Sequence, residues 1–181
     1  MNGERAEGGV LIAGGGLAAQ RTAETLRRVG YEGRIRMVCA EAHRPYDRPP
    51  LSKDVLHDEG AEAQVPYRPP EWYEDKDVEL LLGAAASGLD GARRRLALAD
   101  GRVLGYEDLV VATGALPRML PMFAGHANVS TLRTLEDSRL LRELLRDGRR
   151  LLVIGAGFIG LEVAAAARGA RAEVTVVELE R

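Results

Sequence analysis

The sequence predicts an α/β protein: two similar strand–turn–helix–strand units with parallel strands, and a small antiparallel β insertion. Three observations predict it. The apolar run Val10 to Ala13 meets Gly14-Gly15-Gly16, and the run Leu151 to Ile154 meets Gly155-Ala156-Gly157. After each turn come a helical pattern and another apolar run, the order of a βαβ element. Between them, residues 78 to 112 form short runs with an Asp100-Gly101 turn, the mark of a hairpin.

Each element has its own signal. The first helix runs from the glycines to about Val29, with Ala19, Ala23 and Leu26 on one face and Gly30 closing it. Ile35 to Cys39 reads as the second strand, and Pro70 to Asp75 as a short helix. Val78 to Leu82, Leu96 with Leu98, and Val103 with Leu104 are the short runs of the antiparallel region. Leu109 to Ala112 is a continuous apolar strand ending in Thr113-Gly114, and Pro117 and Pro121 then break the chain. Thr134 followed by Asp137 is a capping-box pattern, opening a helix to about Arg146. The second unit continues as a helix from Gly155 to Arg168 and a strand from Glu173 to Val177.

Composition narrows the function classes. Of 181 residues, 46% are apolar and 29% charged, which marks a globular chain. A net charge of −2 without a basic block argues against a nucleic-acid or anionic-membrane surface. Cys39 is the single cysteine, so no internal disulfide forms and a cytoplasmic location is expected. The opening MNGERAEGG is polar and acidic, unlike a signal peptide. LLVIGAGFIGLEVAAAA, residues 151 to 167, is long and apolar, but its glycines and Glu162 favour strand, turn and helix over a membrane span. His43, His57 and His126 have no metal spacing, so no metal site is expected.

The two glycine turns share one pattern. Gly14-Gly15-Gly16-Leu17-Ala18-Ala19 and Gly155-Ala156-Gly157-Phe158-Ile159-Gly160 both fit G-x-G-x-x-G/A between a strand and a helix. The first glycine permits the tight turn and the second lets a pyrophosphate approach the backbone. The third position, Ala19 or Gly160, lets the helix pack closely. The phosphates then face a helix N-terminus, whose free N–H groups favour anions. An acid is needed at the end of the next strand for a ribose hydroxyl, and Glu41 and Glu178 stand there. A lone glycine turn occurs in any α/β protein, but two in context with their acids point to two Rossmann-like dinucleotide-binding units. Glu178 would repel a 2′-phosphate and so favours NADH over NADPH, a preference that Arg181 tempers.

One segment remains. RPYDRPPLSK, residues 44 to 53, follows the second strand, and Pro45, Pro49 and Pro50 stiffen it, so Arg48 and Lys53 are held with little entropy to lose. Lysine is informative here, since Lys53 and Lys76 are the lysines of an arginine-rich chain. The run GGGLAAQRTAETLRRVGYEGRIRMVCAEAHRPYDRPPLSK resembles the FAD-dependent ferredoxin reductases of aromatic-ring dioxygenases and bacterial cytochromes P450, within the pyridine-nucleotide-disulfide oxidoreductase superfamily. YEDLVVATGALPR, LRTLEDS and LLVIGAGFIGLEVAA continue the likeness in order.

The resemblance implies an N-terminal part of an FAD-binding domain over residues 1–117 and the first part of an NAD(P)H-binding domain over 118–181, both incomplete at the C-terminal side. It implies that Gly14, Gly16, Leu17, Ala18 and Ala19 hold the FAD pyrophosphate and Glu41 the adenosine ribose. Arg48 and Arg133 would contact FAD, Ala86 the adenine, and Thr113 and Gly114 the flavin side. Gly155, Gly157, Phe158, Ile159, Gly160 and Glu178 would form the NADH site. Lys53 and Glu162 are the candidate catalytic residues: Lys53 near the reactive edge of the flavin, Glu162 towards the nicotinamide, the two paired across the FAD–NADH junction. The implied reaction is hydride transfer from NADH to FAD and then electron transfer to a ferredoxin-type iron–sulfur protein. With no redox-active cysteine pair, the disulfide-reducing relatives fit less well. An inert FAD/NAD-binding fragment, and a relative reducing a small acceptor, stay open as alternatives.

Overall fold

The computed structural model describes residues 8–145 and 149–179. Along the chain run β1 (Val10–Ala13), α1 (Leu17–Arg28), β2 (Ile35–Val38), α2 (Asp54–His57), α3 (Pro70–Asp75), β3 (Val78–Leu81), β4 (Ala86–Asp90), β5 (Arg95–Leu98), β6 (Val103–Gly105), β7 (Asp108–Val111), α4 (Leu135–Leu145), β8 (Arg150–Ile154), α5 (Phe158–Gly169) and β9 (Glu173–Val177). Two compact units result. One comprises the chain up to Asp47 with Pro66–Gly114, the other Arg48–Val65 with the chain from Ala115 onward.

The first unit is built on a parallel sheet in the order β3-β2-β1-β7. Both central strands are buried along their whole length, and the two-residue period sorts their side chains between two cores. Val10, Ile12, Ile35 and Met37 pack against Ala19 and Ala23 of α1 and Tyr73 of α3. Leu11, Ala13 and Val38 point the other way, onto Leu96 and Leu98 of the antiparallel sheet β4-β5-β6. The small residues on α1 let it lie close to β1. Buried Gln20 is satisfied there, donating to Glu24 at 3.1 Å and accepting from the Tyr73 hydroxyl at 2.7 Å.

The predicted antiparallel region needs one correction. Val78–Leu81 is not part of it but the edge strand of the parallel sheet, beside β2. The antiparallel sheet starts instead at β4, a strand the sequence reading missed. Four of its five residues are exposed, so it has no apolar alternation to read. The Asp100-Gly101 hairpin joins β5 and β6 as expected, with Gly101 at φ +90°. Arg36, buried in mid-strand on β2, donates to the Gly105 carbonyl of β6 and so ties the two sheets together.

The second unit holds a parallel pair, β8 and β9, with Leu151 opposite Val174 and Ile154 opposite Val177. Helix α5 turns Val163, Ala164, Ala166 and Ala167 inward. Of these, Val163, Ala166 and Ala167 meet Leu56 of α2, Leu141 and Leu145 of α4, and Leu151 of β8. The expected capping box of α4 is formed: Asp137 N–H donates to Thr134 Oγ1 at 3.2 Å, and Thr134 N–H to Asp137 Oδ2 at 2.7 Å. The predicted end of this helix, Arg146, lies outside the described residues, as does Arg181. Among the described residues no helix is long and apolar enough to cross a membrane. Parallel strands joined through a glycine turn and a helix give each unit the Rossmann-like arrangement expected from the sequence.

Candidate functional site

The carboxyl ends of β1, β2 and β7 gather the candidate residues of the first unit. Gly14 leaves β1 at φ +145°, its N–H donating to the Val38 carbonyl at 2.9 Å. A Cβ at Gly14 would stand 2.1 Å from the Ala112 carbonyl oxygen, so glycine is a steric requirement where β1 and β7 meet. Gly16 differs. It is the N-cap of α1 in an ordinary extended conformation, and a Cβ there would have no atom within 4 Å. Leu17 and Ala18 are exposed and Ala19 is fully buried, so Ala19 serves helix–strand packing while the first two face the open side.

Around this turn stand the other expected contacts. Glu41 accepts a hydrogen bond from the Tyr46 hydroxyl, and its carbonyl accepts from Gly83 N–H at 2.9 Å. Thr113 and Gly114 are exposed just beyond Ala112, whose N–H donates to the Ala13 carbonyl at 2.8 Å. Ala86 is exposed on β4 opposite Leu98, at a bulge that interrupts the register before Gly88. Cys39 lies beneath the glycines, its Sγ 3.0 Å from where a Cβ on Gly15 would be. Burial, and then the charge of Glu41, push its thiol up to about 12, so it serves as a small apolar residue.

The second unit repeats the turn. Gly155 leaves β8 at φ +102° and donates to the Val177 carbonyl at 2.8 Å. Cβ atoms at Gly155 and Gly157 would have no neighbour within 4 Å, whereas one at Gly160 would come within 2.3 Å of the Gly155 oxygen. The third glycine is therefore the one the packing demands. Phe158 and Ile159 open α5 with exposed side chains. Glu178 bends back onto the turn, accepting from Ala156 N–H at 2.7 Å and Leu179 N–H at 2.6 Å.

The same unit carries the charged residues expected at the reacting end. Arg48 donates to the Arg133 carbonyl at 2.6 Å, and Asp137 accepts from Arg133 N–H at 2.9 Å, so the Arg133 backbone is held from both sides. Lys53, the N-cap of α2, places Nζ 3.3 Å from Glu162 Oε1. The expected Lys53–Glu162 pair is thus formed, with Lys53 half-exposed. Glu162 has a partner the sequence reading missed: Ser52 Oγ donates to Oε2 at 2.5 Å. That hydrogen bond, joined by Lys53 and opposed by desolvation, holds the Glu162 carboxyl below its ordinary range.

The residues present fit dinucleotides. Each glycine turn leaves open space at Gly16 or Gly157 and opens a helix without an acid in its first turn; Glu178 accepts from Ala156 N–H, and the charge of Glu41 is felt by Cys39 beneath Gly15. Among the described residues no group of three or more metal-ligating side chains exists.

Comparison with known proteins agrees with this geometry. Residues 8–181 match the family model described as pyridine nucleotide-disulphide oxidoreductase. The chain is 42% identical over 93% of its length to the ferredoxin–NAD(+) reductase subunit of the benzene 1,2-dioxygenase system of Pseudomonas putida, covering 41% of that protein. It is 41% identical over 93% of its length to putidaredoxin reductase of Pseudomonas putida, again covering 41%. The crystal structure of the ferredoxin reductase for the CYP199A2 system from Rhodopseudomonas palustris superposes with a TM-score of 0.89 at 44% identity, over 96% of this chain and 43% of that one. The chain therefore spans about two-fifths of the length of the curated relatives it matches. On the match of residues 8–181, with both glycine turns open to a ligand, the chain belongs to the pyridine nucleotide-disulphide oxidoreductase family.

Proposed function

We propose that this chain supplies the FAD-binding and NADH-binding turns of an NADH-dependent ferredoxin reductase serving an oxygenase system. The observation that carries the reading is the pair of glycine turns, each with open space at Gly16 or Gly157 and a glutamate, Glu41 or Glu178, beside it. The names of the relatives, ferredoxin–NAD(+) reductases of dioxygenase systems and putidaredoxin reductase, support the acceptor class.

The chain's own residues then divide the work. Gly16, Leu17 and Ala18 present backbone N–H groups to the FAD pyrophosphate, and Glu41 accepts from the adenosine ribose. Arg48 and Arg133 neutralise phosphate charge. Ala86 meets the adenine, and Thr113 and Gly114 line the flavin side. Gly155, Gly157 and Gly160 shape the NADH turn, Phe158 and Ile159 line it, and Glu178 selects NADH over NADPH by repelling a 2′-phosphate. Lys53 holds a positive charge beside the flavin and Glu162 orients the nicotinamide. The chemistry supplied by bound FAD is hydride acceptance and one-electron release, so no side chain has to act as a nucleophile.

The test is the visible spectrum of the purified protein after loading with FAD and removal of excess, followed by NADH without oxygen. A retained flavin band bleached by NADH faster than by NADPH, and reoxidised by a [2Fe–2S] ferredoxin, is the expected result. A protein that retains no flavin refutes the proposed FAD site.

A further inference from the structure

We infer that Ser52 is the positioning residue of the Lys53–Glu162 pair: its hydroxyl grips one carboxylate oxygen of Glu162 so that the other faces Lys53. Three observations converge on it. Ser52 is 5% exposed, yet its Oγ donates to Glu162 Oε2 at 2.5 Å, while Lys53 Nζ lies 3.3 Å from Oε1. A carboxylate with a different partner on each oxygen is fixed in rotation about its final side-chain bond, as an exposed ion pair alone would not fix it.

The turn that carries Ser52 is itself held. Pro49–Ser52 is a 3₁₀ turn opening on two prolines, which restrict its backbone. From α4, fully buried Ser138 donates to the Leu51 carbonyl at 2.8 Å, and Lys53 N–H donates to the Pro50 carbonyl at 3.0 Å. A hydrogen-bonded path thus runs from Ser138 through the Leu51–Ser52 peptide to Glu162. Lys53 is the charged group within ion-pair distance of Glu162 among the described residues, and the hydrogen bond from Ser52 is the largest influence holding that carboxyl ionised.

The role assigned to Ser52 rests on the reading of Lys53 and Glu162 as the pair at the reaction site, so two readouts are needed. The first is the titration of Glu162 in the FAD-loaded protein, followed by 13C NMR with carboxyl-labelled glutamate, the signal assigned through Glu162→Gln. Ser52→Ala is expected to move the Glu162 midpoint up towards that of an ordinary glutamate, and Ser52→Thr, which keeps the hydroxyl, to leave it low. An unmoved midpoint in Ser52→Ala, or a Ser52→Thr protein that behaves like Ser52→Ala, overturns the inference. The second readout is the rate of flavin reduction by NADH in a rapid-mixing experiment, expected to fall in Ser52→Ala and hold in Ser52→Thr. A raised midpoint with an unchanged reduction rate would retire the catalytic reading of the pair while leaving Ser52 as the group that positions Glu162.

Discussion

Gly14 and Gly16 stand two residues apart in one turn, and their surroundings are opposite. In Gly14→Ala the new Cβ would meet the Ala112 carbonyl oxygen at 2.1 Å from a backbone at φ +145°. Relief requires the ends of β1 and β7 to part. Strain of this kind costs about 1–3 kcal/mol and overpacking about another 1–3, so a loss of about 2–6 kcal/mol is expected. That is a large share of the roughly 5–15 kcal/mol that holds a domain together. In Gly16→Ala the backbone stays in an extended region open to any residue, and the Cβ meets nothing. A poorer N-cap and a stiffer unfolded chain nearly offset, so stability should stay within about 1 kcal/mol of the parent. The same Cβ occupies the space through which a pyrophosphate would reach the N–H groups of α1. Losing one charge-assisted hydrogen bond of about 1.5–3 kcal/mol weakens FAD binding about 10- to 150-fold. Urea unfolding followed through Trp72, which lies in the first unit, and a titration with FAD measure the two quantities separately. Equal destabilisation by both variants, or normal FAD affinity in Gly16→Ala, would refute the division of labour.

Further outcomes follow from the second unit and from Cys39. Arg142 is buried and donates to the Val55 carbonyl and to Glu62, each at 2.8 Å. Arg142→Ala removes the hydrogen bond to that carbonyl while Glu62 keeps Arg139, so about 2–4 kcal/mol should be lost in chemical unfolding. Arg139 first, and then Arg142, hold the Glu62 carboxyl below its ordinary range against an opposing desolvation. The folded carboxyl is thus the stronger acid. Its stabilising contribution is complete above the unfolded glutamate range and fades as pH falls through the folded midpoint, so Glu62→Gln should flatten the acid limb of a plot of Tm against pH. Asp137→Ala should cost about 1–2 kcal/mol in thermal unfolding by undoing the α4 cap and releasing the Arg133 N–H. Cys39, with its thiol pushed up to about 12, should resist a disulfide reagent until denaturant is added, and rapid labelling of the native protein would contradict its placement.

What could be read from the sequence was what is local in the chain. The glycine turns, the Asp100-Gly101 hairpin and the Thr134–Asp137 cap each occupy a few consecutive residues whose backbone demands are written in their types, and all three stand in the structure. The exposed residues of β4 follow no apolar period, and a short edge strand such as Val78–Leu81 does not announce which sheet it joins. Arg36 was invisible for another reason: an arginine in a strand reads as solvent-facing unless the sheet across from it offers a carbonyl, and that carbonyl, Gly105, is 69 residues away.

The candidate site shows the same boundary within a single segment. Lys53 stands out a little as a lysine after a stiff proline run in an arginine-rich chain, and its role beside the flavin is what the family resemblance implies. Its neighbour Ser52 carries no such signal, because serine in a turn is ordinary and its partner Glu162 lies 110 residues on. The two belong to one device. A turn opening on Pro49-Pro50 and clamped by Ser138 has few ways to move, so the adjacent Ser52 and Lys53 reach Glu162 from a single support and divide its two oxygens between them. Flexible residues in place of those prolines would leave each contact possible but would not hold both at once. Pro49 and Pro50 therefore matter chiefly for the conformations they deny to the serine and lysine that follow.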